Sequence, residues 1–464
     1  MAVLTDLPSE LLTKSFSRLS RQELYSVALS CQRFQHAAYQ QLYGTLSWQR
    51  QSSLTARKVC LLLRSLAESP ALGRHVLHVE FFEDPVYDSS SKPLAPWHGL
   101  GVTETETILQ WVPNFGLSHS DLWTASVQSG AIYACALLSL AFFPNLKSLL
   151  LGPDFIRNSM LLCSLFDSAR GIGNRGTPQP ATQIRFPRLH HVQLGSSPRT
   201  VAVIQSPTPS FKHLYKILHP PSLEHLTIEL PSAGEMYWPS LSDRPSLASL
   251  HTLQLPNSAA EPLALKELLS TKPPLKELLY DYTILDLDLV SDLYSFSLTH
   301  LSSALSHVRP TLQKLTLSIE FDEDGLSQQE ESPFVGTLDT FSTFPHLTYL
   351  DMPLSLLKSR SESTSVEDLS HRLTSTLPPS LRELYLNDEY ISWVCPEWEA
   401  RAWLELVKSV LASRIDAGKG AGQLDRVVCV GDRVSKYENE FEEICKTYGV
   451  VGSLQVSSQL LSVK

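Results

Sequence analysis

Leu146-Lys147-Ser148-Leu149-Leu150-Leu151 follows directly on Pro144-Asn145 and is the first of eight copies of one short pattern, L-x-x-L-x-L. It returns as Leu189-x-x-Val192-x-Leu194, Leu223-x-x-Leu226-x-Ile228, Leu250-x-x-Leu253-x-Leu255 and Leu275-x-x-Leu278-x-Tyr280. Leu312-x-x-Leu315-x-Leu317, Leu347-x-x-Leu350-x-Met352 and Leu381-x-x-Leu384-x-Leu386 complete the set. The final L-x-L alternates, which places both apolar side chains on one face of a strand. A single strand with a returning helix or loop cannot bury that face alone, but stacked copies can. A fully buried leucine contributes roughly 1.5 to 3 kcal/mol, so the gross gain over eight copies is large, and chain entropy offsets most of it. The steps between first leucines are 43, 34, 27, 25, 37, 35 and 34 residues, so the spacing is irregular.

The expectation is therefore an α/β fold: an irregular solenoid with a curved parallel sheet over residues 71–460, the eight segments neighbouring in sequence order. Val76-Leu77-His78-Val79 and Val427-Val428-Cys429-Val430 read as further strands at its ends. A cap from about residue 395 holds a helix over 397–413, a Gly-rich link over 418–422, and an amphipathic helix carrying Tyr437, Phe441, Ile444 and Tyr448. Residues 171–183 and 196–210 are Pro/Gly/Ser-rich loops, and 321–333 is an acidic loop. The pattern resembles leucine-rich repeats, with one departure. That family carries Asn or Cys three residues after the last leucine, where this chain has Asp154, Ser197, Pro231, Ser258, Thr283, Glu320, Ser355 and Glu389. The resemblance thus implies an irregular type without the asparagine ladder.

Ahead of the repeats, three short helices are legible between residues 7 and 43. Pro8 suits a first helical position and Glu10 puts a negative charge in the first turn. Leu12, Phe16 and Leu19 then step by four and three. Ser20-Arg21-Gln22-Glu23 is a capping-box pattern flanked by Leu19 and Leu24. Leu24, Val27, Ala28 and Cys31 follow at i, i+3, i+4 and i+7, and Phe34, Ala38 and Leu42 continue in a third helix. About forty residues is near the lower limit for a module folding without metal or disulfide, so it must lean on a neighbour.

The string Leu7-Pro8-x-Glu10-Leu11-Leu12-x-x-x-Phe16-x-x-Leu19-x-x-x-x-Leu24, then Val27-Ala28-Leu29-x-Cys31-x-Arg33-Phe34, closely resembles the F-box. The text that follows, Leu42-Tyr43-Gly44-Thr45-Leu46, Val59 to Leu66 and Pro70-Ala71-Leu72-Gly73-Arg74-His75-Val76, looks like the segment after the F-box in many fungal members. Phe34 stands where many F-boxes outside that group carry Trp. The resemblance implies an F-box over 1–50, a linker helix over 51–70, and docking on the Skp adaptor of cullin–RING (SCF) ubiquitin ligases. It implies an adaptor surface of Leu7, Pro8, Glu10, Leu11, Leu12 and Leu19 with Phe16 behind them.

Bulk properties narrow the rest. The chain has 464 residues, 43% hydrophobic and 19% charged, with a net charge of −10 and no basic stripe, so nucleic acid is a poor partner. Seven scattered cysteines without a C-x-x-C pair read as reduced, buried thiols. Asp6 and Pro8 interrupt what a signal peptide would need as an apolar run. The most hydrophobic stretch, Ala131 to Phe143, is shorter than the roughly 20 residues that span a bilayer. The cytoplasm or nucleus is the expected compartment, with no membrane association.

No catalytic constellation is expected. Gly171-Ile172-Gly173-Asn174-Arg175-Gly176 matches G-x-G-x-x-G but follows a helical pattern over 160–169 and runs into Thr177-Pro178, so it reads as a loop. His75 and His78 lie on opposite strand faces, as do His190 and His191, and neither pair can share a metal. The chain reads as a binding protein without cofactor. It is either a receptor that presents a protein substrate for ubiquitination or a scaffold using the same module outside any ligase. The outward face should carry substrate. Its central row is Leu150, Gln193, Thr227, Gln254, Leu279, Thr316, Asp351 and Tyr385, flanked by His191, His225, Glu277, Lys314, Tyr349 and Glu383. Tyr349, Asp351, Glu383, Tyr385 and Asn387 gather aromatic rings beside carboxylates, which suits a basic protein partner.

Overall fold

In all eight units the three apolar residues are buried, none more than 4% exposed, so the alternation does face them to the interior. The computed structural model describes residues 7–50, 53–83, 102–152, 155, 159–169, 186–195, 215–230, 244–284, 296–321, 334–338, 340–357, 365–388, 391, 398–416, 424–431 and 434–455. The loop expectations for 171–183 and 196–210, the glycine motif, the acidic stretch 322–333 and the link 418–422 lie outside the described residues. The chain divides into two compact units, residues 1–209 with 213–226, and residues 210–212 with 227–464.

The first unit opens with α1 (Ser9–Phe16), α2 (Arg21–Ser30) and α3 (Gln32–Tyr43). The first two helices each have a reason to begin where they do. Pro8 precedes α1, with ψ at 151° and its carbonyl accepting from Leu11 and Leu12. The capping box forms at α2: Glu23 N–H donates to Ser20 Oγ at 3.4 Å, and Ser20 N–H donates to Glu23 Oε2 at 2.7 Å. Leu12, Phe16, Leu24, Ala28, Ala37 and Ala38 make the module's core, with Leu7, Leu19, Val27, Phe34, Tyr39 and Leu42 packed against it. Phe34 meets Phe16 edge to face at 5.7 Å between ring centres.

Strands β1 (Thr45–Arg50), β2 (His78–Glu83), β3 (Ser148–Leu151) and β4 (His191–Leu194) then pair side by side in parallel. Helix α4 (Ser53–Glu68) connects β1 to β2. The apolar stretch from Ala131 to Phe143 is a buried helix, Ile132–Leu140, with seven of its residues inside. No helix among the described residues is long and apolar enough to cross a membrane. Strand β5 (His225–Ile228) falls where the chain divides.

The second unit repeats the scheme with β6 (Thr252–Ser258), β7 (Glu277–Ile284), β9 (Lys314–Phe321), β11 (Tyr349–Pro353), β12 (Glu383–Asn387), β13 (Arg426–Val430) and β14 (Val451–Gln455). All seven lie in that order and pair in parallel. A short side pair, β8 (Phe296–Ser297) with β10 (Phe334–Val335), stands apart from them. Helices Pro262–Leu269, Leu298–Ser306, Val366–Thr376, Ala402–Asp416 and Glu438–Thr447 return the chain between strands. Parallel pairing requires such crossovers, because a tight turn can only join antiparallel neighbours. The chain is thus mixed α/β, with N-terminal helices and extensive parallel sheet.

Of the last two strands, the first was expected from the sequence and the second was not. The Val427–Val430 segment is a full member of the ladder, in register with β12 from Glu383↔Arg426 to Asn387↔Val430. β14 extends the sheet once more beyond it. Gly452 permits this, since a Cβ there would overlap the Cys445 side chain.

Candidate functional site

Two surfaces emerge. The first is the N-terminal module. The guanidinium of Arg33 in α3 donates to the carbonyl of Leu7 at 3.1 Å, fixing the Leu7-Pro8 entry to α1. Pro8 and Glu10 are exposed, and Leu7 and Leu19 are half-buried against the core. Leu11 is 48% exposed. Leu12 departs from the expected adaptor surface: it is 1% exposed and belongs to the interior beside Phe16. The reason is helical phase, because Leu12 and Phe16 are four apart and face α3, while Leu11 points about 100° away.

Sequence reasoning missed two residues here. Tyr25 and Leu29 of α2 are 62% and 71% exposed. Their signal was available, since both are large apolar residues out of phase with the buried stripe through Leu24 and Ala28. Leu11, Tyr25 and Leu29 are thus three large side chains left uncovered on one forty-residue helical module.

The second surface is the outward face of β7, β9, β11, β12 and β13. Register places Glu277, Lys314, Tyr349, Glu383 and Arg426 in one row across the strands. Lys314 Nζ pairs with Glu277 Oε1 at 3.1 Å and lies 5.0 Å from the Tyr349 ring centre. Tyr349 packs on Tyr385, ring centres 4.9 Å apart and tilted by 32°. The Tyr385 hydroxyl donates to Glu383 Oε2 at 3.4 Å and accepts from Arg426 Nη1 at 3.4 Å. Asp351 stands beside Tyr385 in the next row, and Asn387 follows two residues on. Partial burial, then Asp351, Tyr385, Glu383 and Glu277, hold the Tyr349 phenol well above its ordinary pKa.

All five residues expected to bind substrate therefore share one half-buried face. Arg426 was not foreseen on it, because Val427-Val428-Cys429-Val430 gives the strand but not its register. With Lys314 and Arg426 in the row, the face is an alternation of charges around two tilted, packed rings rather than a plain acidic patch. Among the described residues no group of three or more His, Cys, Asp or Glu side chains stands close enough to hold a metal ion.

Residues 4–47 match the F-box-like family model. The match spans α1 to α3 and ends on the first strand, so it covers the module and none of the eight repeated units. No curated protein matches the chain.

Proposed function

We propose that this chain is the substrate-recognition subunit of an SCF-type (cullin–RING) E3 ubiquitin ligase. The single observation that carries the reading is the F-box-like module at residues 4–47 with Leu11, Tyr25 and Leu29 exposed on it. F-box domains typically bind Skp-family adaptors, and a small module with uncovered apolar side chains suits that use. In this reading Leu7, Pro8, Glu10, Leu11 and Leu19 meet the adaptor, while Leu12 and Phe16 hold α1 in place from behind.

The remainder acts as an irregular leucine-rich-repeat-like solenoid of the fungal F-box type. Buried leucines in every unit and parallel neighbours in sequence order support this. Its outward face around Tyr349, Asp351, Glu383, Tyr385 and Asn387 presents a protein substrate. The chain performs no chemistry itself, needs no cofactor, and works in the cytoplasm or nucleus away from nucleic acid and membranes.

A Leu7→Ala, Pro8→Ala double variant tests the assignment: it should lose Skp-adaptor capture while the parallel sheet stays folded. Undiminished capture would sink it. A scaffold that uses the module outside a ligase would also bind adaptor. Cullin-dependent turnover of a captured protein separates the receptor from that scaffold.

A further inference from the structure

Strands β7 and β9 run in register from Glu277↔Lys314 to Ile284↔Phe321, so their outward residues can be compared row by row. At the amino-terminal end a carboxylate meets a cation, Glu277 with Lys314 at 3.1 Å. Further along, no such compensation is present among the described residues. Asp281 lies on the same face past Leu279, and beyond it Thr283 stands in register with Glu320. Asp281 Oδ2 accepts the Asn257 N–H at 3.2 Å, where Asn257 has a positive φ of 44° at a register shift in β6. Burial, and then Asp281, raise the Glu320 carboxyl above its usual pKa. Thr283 is 4% exposed, and its hydroxyl oxygen is buried without a hydrogen-bond partner.

The buried, orphaned Thr283 hydroxyl is costly unless a donor arrives, and the like charges of half-buried Asp281 and exposed Glu320 beside it favour a cationic one. A divalent cation such as calcium calls for six or more oxygen ligands. A lysine ammonium carries three donors and no acceptor, which matches the three acceptors that Asp281, Glu320 and Thr283 leave open. An arginine guanidinium spreads its five donors over one rigid plane, which suits acceptors converging on a single point less well than a compact ammonium does. We propose that Asp281, Glu320 and Thr283, at the carboxy-terminal rim of β7 and β9, receive the ammonium group of a lysine on the bound protein. Thr283 is 4% exposed, so its hydroxyl is reached only when the side chain of Glu320, its partner in register, turns onto the ammonium. The inference rests on the substrate-receptor reading above and gives that substrate a basic side chain.

Fluorescein-labelled hexalysine, followed by anisotropy on the full-length chain, tests it. Asp281→Asn with Glu320→Gln should weaken binding about tenfold or more, since hydrogen bonds to charged groups are the strong ones. Thr283→Val keeps the shape and should weaken it about threefold, the share of one neutral acceptor. Glu438→Gln with Glu440→Gln, which removes the same charge from an exposed helix, should leave affinity unchanged. Hexaarginine should bind more weakly than hexalysine, and n-butylamine should not displace hexalysine at equal amine concentration. Equal weakening by both charge-matched pairs would reduce the effect to the chain's net acidity and overturn the proposal. Displacement by n-butylamine would assign the site to free amines instead of a protein lysine. Adaptor capture by the same preparations separates the two failures. Intact capture with unaltered hexalysine binding in the Asp281/Glu320 variant refutes the lysine site alone. Wild-type chain that captures no adaptor refutes the receptor reading.

Discussion

Leu11 and Leu12 are adjacent in sequence and opposite in role, so truncating each to alanine separates docking from folding. Leu12 is 1% exposed in the module core, and a buried Leu→Ala change costs roughly 2 to 5 kcal/mol. A module of about forty residues has little stability in reserve, so Leu12→Ala should unfold α1 to α3 in a large fraction of molecules. Leu11 is 48% exposed, so only about half of a leucine's roughly 1.5 to 3 kcal/mol supports the fold, and alanine retains part of that. Leu11→Ala should therefore cost the fold about 1 kcal/mol or less. Covering the exposed half with an adaptor is worth a similar amount. Its loss weakens binding about fivefold, because 1.4 kcal/mol is a factor of ten in Kd and about 1 kcal/mol a factor of roughly five. Titration of purified Skp adaptor against both variants, with thermal unfolding by circular dichroism alongside, reads both quantities. Leu11→Ala that stays folded and binds as tightly as wild type would refute the placement of the docking face. An unshifted melting transition in Leu12→Ala would refute the packing.

Other outcomes follow from single contacts. Gly73→Ala places a Cβ against the backbone carbonyl of Phe142, which cannot swing aside as a side chain could; overpacking of this kind costs about 1 to 3 kcal/mol, visible as a lower denaturant midpoint. Ser20→Ala removes the hydroxyl that caps α2 and should destabilise the module by about 1 kcal/mol in urea unfolding. The Glu23 carboxyl, lowered by the Ser20 backbone N–H and then its hydroxyl, supports the fold above the unfolded-state pKa; that support is lost as pH falls through the lowered value. Burial pushes the Cys163 thiol up to about 12, so native chain should resist iodoacetamide at this position at pH 8 while urea-unfolded chain reacts. The sign is that of a raised acid: the thiol's contribution is complete below the unfolded pKa of about 8.5 and declines as pH rises toward 12.

Much of the architecture was legible because its signals are local. The L-x-L alternation placed Leu149, Leu253 and Leu350 inside, and the Ser20-to-Glu23 spacing marked the start of α2 correctly. Registers were not legible, since they depend on which strands become neighbours. Arg426 therefore joined the Tyr349–Tyr385 face unannounced, and Gly452 in β14 read as part of no strand. The exposed side of α1 was only partly legible: a leucine doublet shows that α1 is amphipathic, but helical phase decides that Leu11 is outside and Leu12 inside. Tyr25 and Leu29 each follow a buried residue of α2, Leu24 and Ala28, and an apolar residue next to the buried stripe carries no sequence mark of being exposed beyond its helical phase.

In the proposed function the chain joins a ubiquitin ligase through its first helices. Mass photometry of the full-length chain mixed with purified Skp adaptor and a cullin–RING pair tests it most directly. One adaptor per chain, and cullin added only when adaptor is present, is the expected result, lost in the Leu7→Ala, Pro8→Ala variant. A chain that stays at its own mass with adaptor in excess, or that binds cullin equally well without adaptor, would contradict the account.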